Sequence, residues 1–232
     1  MKILVTGDSW GVGEWQTGKN FPVVTASPFC VYLEEGNWVT NVSSPGSRNF
    51  TAMERVDQAL EDIDYDVIIV VVSDPLRDLR HCEADEIAPA MESLESFLSK
   101  IRSLHHKYYQ QLAAHNVPVI LLGGICDLDL DAAGRYDNII PLMPSLRTWF
   151  DPDAPRGPYL TIQASLLENI RKEKDITPSP DILEHMNHIE GTVLFDYFRN
   201  SSLYPDNGHP DRYCHRRLGE FLRNHLQENF GK

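Results

Sequence analysis

The stretch that decides the fold is Lys2-Ile3-Leu4-Val5-Thr6, which runs directly into Gly7-Asp8-Ser9-Trp10-Gly11-Val12-Gly13. Ile3 to Val5 show no polar/apolar alternation, the mark of a strand covered on both faces in a parallel sheet. The glycine-rich segment ends that strand, so Ser9 falls at the carboxyl edge of the sheet. There its hydroxyl can face a cleft and its own backbone N–H can point at a developing oxyanion. Gly-Asp-Ser alone is common by chance, so the rest of the chain must supply the context.

Similar apolar runs recur at Trp38 to Val42, Asp66 to Val72, Val117 to Leu122 and Thr192 to Phe195. Helical patterns lie between them: Phe29 to Glu35, Asn49 to Asp62, and Glu92 to His115 with Leu94, Phe97, Leu98, Ile101, Leu104, Tyr108 and Leu112 at three-to-four spacing. A last helix is expected over Asp211 to Glu228. Alternation of this kind predicts an α/β fold, a doubly wound, flavodoxin-like, mainly five-stranded parallel sheet with helices on both faces in three layers.

One stretch breaks the rhythm. About 69 residues, Gly123 to Gly191, separate the fourth and fifth strand candidates and hold seven of the 15 prolines. Helices around Tyr159 to Lys174 and Asp181 to Asn187 are expected there, with loops over the carboxyl edge where open α/β sheets bind ligands. The expectation is one domain over residues 1–232, with residues 123–191 as a proline-rich insertion or cap.

With 21 basic against 34 acidic residues the formal charge is −13, a field that repels phosphate backbones and anionic lipid heads. Nucleic acid and membrane surfaces are therefore not expected as partners. Cys30, Cys82, Cys126 and Cys214 lie far apart without Cys-x-x-Cys spacing, which suggests neither a zinc ribbon nor a disulfide scaffold. The apolar stretch Ile3 to Val5 is too short for a signal peptide, so a cytoplasmic location is expected.

Near the other end the chain reads Tyr204-Pro205-Asp206-Asn207-Gly208-His209-Pro210. An Asp three residues before a His in a turn can hold the imidazole by its Nδ1–H, leaving Nε2 to take a proton from a serine hydroxyl. Taken singly, the pieces read more plainly as structure, a helix cap for the Asp and a surface turn for the His.

Together, and in this order on this strand pattern, the two ends resemble the first and last sequence blocks of the GDSL-type, or SGNH, hydrolase superfamily. The resemblance implies Ser9 as nucleophile, His209 as general base and acid, and Asp206 as the residue that orients it. It also implies an oxyanion donor after the second strand, where Asn41-Val-Ser-Ser-Pro-Gly46-Ser47-Arg-Asn49 offers the N–H of Gly46. The third block departs from the family pattern. In place of Gly-x-Asn-Asp the chain has Val71-Val72-Ser73-Asp74-Pro75-Leu76-Arg77-Asp78, without the amide donor. Losing one such donor costs roughly 10²- to 10³-fold in rate. Ser73, Asp74 and Arg77 are therefore carried as oxyanion or substrate-binding candidates; an ion pair of Arg77 with Asp74 or Asp78 is the plainer alternative.

Other motifs fail on context. Gly13 to Asn20 has P-loop spacing, but six residues separate it from its strand and Phe21-Pro22 follows Lys19. Asp127, Asp129 and Asp131 imitate a calcium loop that lacks its sixth and twelfth residues. His185 and His188 have no partner at ligand spacing, His105 and His106 read as surface residues, and His215 reads as solvated or capping on the last helix. The expectation is a serine hydrolase acting on a small-molecule or carbohydrate ester through an acyl-enzyme on Ser9, with no metal or cofactor. A non-catalytic binding protein on the same scaffold and an acyltransferase are the alternatives. Tyr136, Trp149, Phe150, Tyr159, Arg135, Arg147 and Arg156 in the insertion slightly favour a sugar or polar acyl group.

Overall fold

The computed structural model describes residues 1–15, 24–25, 28–155, 164–188, 195–204 and 209–231. Its strands are β1 (Lys2–Thr6), β2 (Glu14–Trp15), β3 (Val24–Thr25), β4 (Trp38–Asn41), β5 (Val67–Val72), β6 (Val119–Gly123) and β7 (Ile139–Met143). Five of these form one parallel sheet in the order β4-β1-β5-β6-β7, while β2 and β3 make a separate two-stranded pair. The helices are α1 (Ser9–Val12), α2 (Asn49–Asp62), α3 (Pro75–Arg80), α4 (Ala84–Ile87), α5 (Leu94–Ala113), α6 (Leu130–Ala133), α7 (Leu146–Phe150), α8 (Ala164–Lys174), α9 (Pro180–His188), α10 (Phe195–Asn200) and α11 (Arg212–Phe230), with a 3-10 turn over Phe29–Leu33. Among the described residues no helix is long and apolar enough to cross a membrane.

The period-2 geometry of the strands sorts the apolar runs into two cores. Ile3, Val5, Val67, Ile69, Val71, Ile120 and Leu122 point to the side of α11 and the 3-10 turn, against Leu218, Leu222, Leu226, Phe29 and Leu33. Leu4, Ile68, Val70, Val119 and Leu121 point to the other side, against Met53 and Val56 of α2 and Tyr108 and Leu112 of α5. β5 and β6 are buried along their whole length. This is why their sequences read as continuous hydrophobic runs, and it makes the fold a three-layer α/β/α sandwich.

Two expectations are corrected. Among the described residues the fifth strand of the sheet is Ile139–Met143, inside the stretch read as an insertion. Residues 192–194 lie outside the described residues, and Phe195 opens α10. Pro141 disguised β7, because proline removes a ladder donor and argues against a central strand; on an edge strand it is tolerated. Second, His105 and His215 are not surface residues: they are 3% and 1% exposed. Burial pushes both imidazoles down to about 4, the positive field of His209 adding to the effect at His215, so both are neutral at pH 7.

The chain leaves β1 for β4 on one side and later crosses to β5 on the other. The carboxyl end of β1 is therefore the switch point of the sheet, where a crevice opens in doubly wound folds.

Candidate active site

Gly7 carries the chain off β1 with φ 154°, and a Cβ there would stand 2.8 Å from both the carbonyl oxygen and the Cβ of Val71 on β5. Only glycine passes between the two strands without a clash. Asp8 then caps α1, its Oδ1 accepting a hydrogen bond from the backbone N–H of Trp10 at 3.0 Å. Ser9 is thereby the first residue of a one-turn helix at the sheet edge, 5% exposed. Its N–H lies among the unpaired donors of the helix N-terminus and meets no acceptor among the described residues.

His209 comes to the same place from the far end of the chain. Asp211 caps α11 by accepting from the N–H of Cys214 at 2.8 Å, and its own N–H donates to the carbonyl of Leu203 at 2.9 Å. Beside it, Tyr204 packs its buried ring against Trp10 at 5.9 Å between centroids. The residue after the serine is thus clamped to the segment that leads to the histidine. His209 Nε2 lies 2.9 Å from Ser9 Oγ, a hydrogen bond between residues 200 apart in sequence. Asp206 lies outside the described residues.

The loop after β4 crosses over this end of the sheet. The N–H of Ser44 donates to the carbonyl of Gly7 at 3.1 Å, and the N–H of Ser47 donates back to the carbonyl of Ser44 at 3.1 Å. The intervening Pro45-Gly46 has the type II turn pattern, with Gly46 at φ 69° where a side chain would be strained. Gly46 N–H, like that of Ser9, has no acceptor among the described residues.

The third block is tied down from two directions. Asn49, at the start of α2 and 1% exposed, accepts from Ser73 N–H at 2.7 Å and donates its amide to the Ser73 carbonyl at 3.3 Å and to Asp78 Oδ2 at 2.7 Å. Phe50 N–H reaches Asp78 Oδ1 at 3.3 Å. Burial pushes the Asp78 carboxyl up to about 6 despite these hydrogen bonds. Asn49 was missed as a site residue by sequence reasoning; the signal available was a polar residue opening a helix beside the Gly46 loop.

On the other side Ser73 Oγ donates to Asp8 Oδ2 at 2.9 Å. Arg77 Nη1 donates to that same oxygen at 3.0 Å, to Ser73 Oγ at 2.8 Å and to the Ser47 carbonyl at 3.2 Å. The Arg77 ion pair is thus made with Asp8, the residue before the serine, while Asp78 is engaged by Asn49 and Phe50. Asp74 is fully buried and caps α3, accepting from Leu76 N–H at 2.9 Å ahead of Pro75.

The residues of 123–191 that suggested a sugar pocket divide differently. Arg147 has no exposed surface: it donates to the Ile125 carbonyl and pairs with Asp127 at 3.2 Å, and Phe150 is buried in the core. Arg156 and Tyr159 lie outside the described residues.

No family model matches the chain, and no curated protein matches it. Solved structures to which it is similar include one described as TesA (14% identity, 98% of this chain and 99% of that one, TM-score 0.44). Another is the psychrotrophic esterase EstA from Pseudoalteromonas sp. (12%, 100% and 99%, TM-score 0.45). A third is the acetyl xylan esterase AlAXEase (11%, 97% and 100%, TM-score 0.45).

Proposed function

We propose that the protein is a serine ester hydrolase in which Ser9 attacks the carbonyl carbon of a carboxylic ester. The observation that carries this reading is the 2.9 Å approach of His209 Nε2 to Ser9 Oγ beyond the carboxyl end of β1. Neutral His209 takes the hydroxyl proton as Oγ bonds to the carbonyl carbon, then gives it to the leaving alcohol, and water releases the acyl group by the same route. The N–H groups of Ser9 and Gly46 have no acceptors among the described residues, which supports them as the donors for the tetrahedral oxyanion. Asp206, three residues before His209, is the expected partner of the imidazole. The likeness of Gly7-Asp8-Ser9 and of Asp206 to Pro210 to the end blocks of GDSL-type hydrolases supports the same assignment.

The test is labelling by a fluorophosphonate, which reacts only with an activated serine. Wild type should be labelled and should hydrolyse short-chain 4-nitrophenyl esters. Ser9→Ala should do neither while keeping its melting temperature. Labelling of the variant would show that another residue is the nucleophile.

A further inference from the structure

In a chain of net charge −13, four of the 14 arginines face a single pocket of about 520 Å³ beside the catalytic loop. Arg48 and Arg55 come from the start and second turn of α2, Arg77 and Arg80 from consecutive turns of α3, and the loop 44–47 with Gly46 forms one wall. Among the described residues no acidic side chain lines it. The spacing explains the convergence: Arg48, Thr51 and Arg55 share one helical stripe, as do Arg77 and Arg80.

The four guanidinium groups are not equally committed. Arg77 holds Asp8 at 3.0 Å, and Arg80 is paired with Glu173. Arg48 spends its Nε on Thr51 Oγ1 at 2.8 Å and lies 3.9 Å from the exposed Glu54. Arg55 makes only a hydrogen bond to Ser47 Oγ at 3.1 Å and no ion pair among the described residues. Most of the donors of Arg48 and Arg55 therefore remain available, in the planar fork that matches an oxyanion. The local field is positive enough to act on His81 at the rim: burial, then Arg48, Arg80 and Lys174, hold its imidazole below the ordinary histidine range against the opposing Glu173.

We propose that this pocket is the subsite for a compact oxyanion, carboxylate or phosphate, carried by the ester substrate, with Arg55 and Arg48 as its principal ligands. The proposal rests on the reading of Ser9 as nucleophile, because Gly46 is shared between the pocket wall and the oxyanion loop. Arg77 links the two sites directly, lining the pocket while bonding to the residue before Ser9. The substrate class is therefore an ester with a negative charge near its scissile carbonyl, rather than a neutral acylglycerol or a neutral acetylated sugar.

The experiment compares mono-4-nitrophenyl adipate, which ends in a free carboxylate, with its methyl-capped neutral analogue. Wild type should favour the anionic ester by tenfold or more in kcat/KM, mostly through KM. Arg55→Ala and Arg48→Ala should each cut that ratio severalfold, and Arg55→Glu should invert it. Arg55→Lys, which keeps the charge without the fork, should fall between. Arg216→Ala, a charge change remote on α11, should leave the ratio as it is. Binding of adipate and of inorganic phosphate, followed by calorimetry, is read independently of turnover and should weaken tenfold or more in Arg55→Glu. A ratio near one in wild type and Arg55→Glu alike overturns the subsite. If Arg55-dependent phosphate binding accompanies that ratio, the pocket takes a free anion and the substrate assignment is wrong. If neither ester is cleaved yet adipate binding still depends on Arg55, the anion pocket stands and the esterase reading falls. If adipate and phosphate fail to bind as well, both fall.

Discussion

Arg77 reaches from α3 to the carboxylate of Asp8 at 3.0 Å, and in doing so braces the residue that caps the helix on which Ser9 sits. The carboxylate is thereby held between a backbone N–H, a serine hydroxyl and a guanidinium. The third block is thus occupied by a small buried network turned toward the start of the helix that carries Ser9.

Removing Arg77 should therefore be costly for stability as well as for rate. Arg77→Ala leaves the Asp8 carboxylate without its cation and should destabilise the fold by about 1–3 kcal/mol. Adding Asp8→Asn should recover part of that loss, because a neutral amide tolerates the site better than an unpaired charge. A double-mutant cycle of urea midpoints measures the coupling; additive effects would mean that the pair contributes nothing.

Ser73→Asn would put an amide in the third block, but not one that this network accommodates. Ser73 is 2% exposed and its hydroxyl is used by Asp8 and Arg77. The larger amide should overpack the site, with a loss of roughly 1–3 kcal/mol and no gain in kcat. A tenfold gain, about 1.4 kcal/mol of barrier, would instead mean that the third donor had simply been lost.

His209→Ala should depress kcat/KM about as much as Ser9→Ala, since removing one member of a concerted pair already disables it. In wild type kcat/KM should fall on acidification, because a protonated imidazole cannot accept the serine proton. A flat profile between pH ~5 and ~8 would point to a different base.

Asp78 makes a prediction about stability alone. Its carboxyl, raised by burial to about 6 from 3.8, binds a proton in the folded chain at pH values where the unfolded chain has lost it. Folding stability from this group is therefore fully present below about 4 and is lost as pH rises through about 6, an effect of about 2–3 kcal/mol at most. Asp78→Asn, which cannot titrate, should be less sensitive to pH than wild type across that window. Urea unfolding at pH 4, 5, 6 and 7 gives the comparison, and equal slopes would contradict it.

The parts of this architecture that were legible in the sequence are those governed by local rules. β1, β5 and β6 announce themselves because both faces are buried, whereas the pairing of Ser9 with His209 was legible only through the resemblance of the two end blocks to GDSL-type hydrolases. The parts that were not legible depend on which surfaces meet. Nothing in the sequence pairs Asp8 with Arg77 across 69 residues, and nothing aims the Asn49 amide at Ser73. His215 reads as exposed because it follows a polar turn, yet the 3-10 turn covers it, with the Phe29 ring stacked on it at 6.5 Å. The arginine pocket was hidden in the same way: two modest helical stripes become one basic surface only when α2 and α3 lie side by side.

β7, the strand hardest to read, also closes one open flank of the sheet. An edge strand presents unpaired backbone groups that a neighbouring molecule can extend, and β6 and β5 behind it are apolar throughout. Pro141 withholds a donor at the middle of β7, and its register against β6 slips between Leu121 and Leu122, so the outer edge offers a broken template. The residue that spoils the strand's signature in the sequence thus leaves that edge one donor short for any incoming strand.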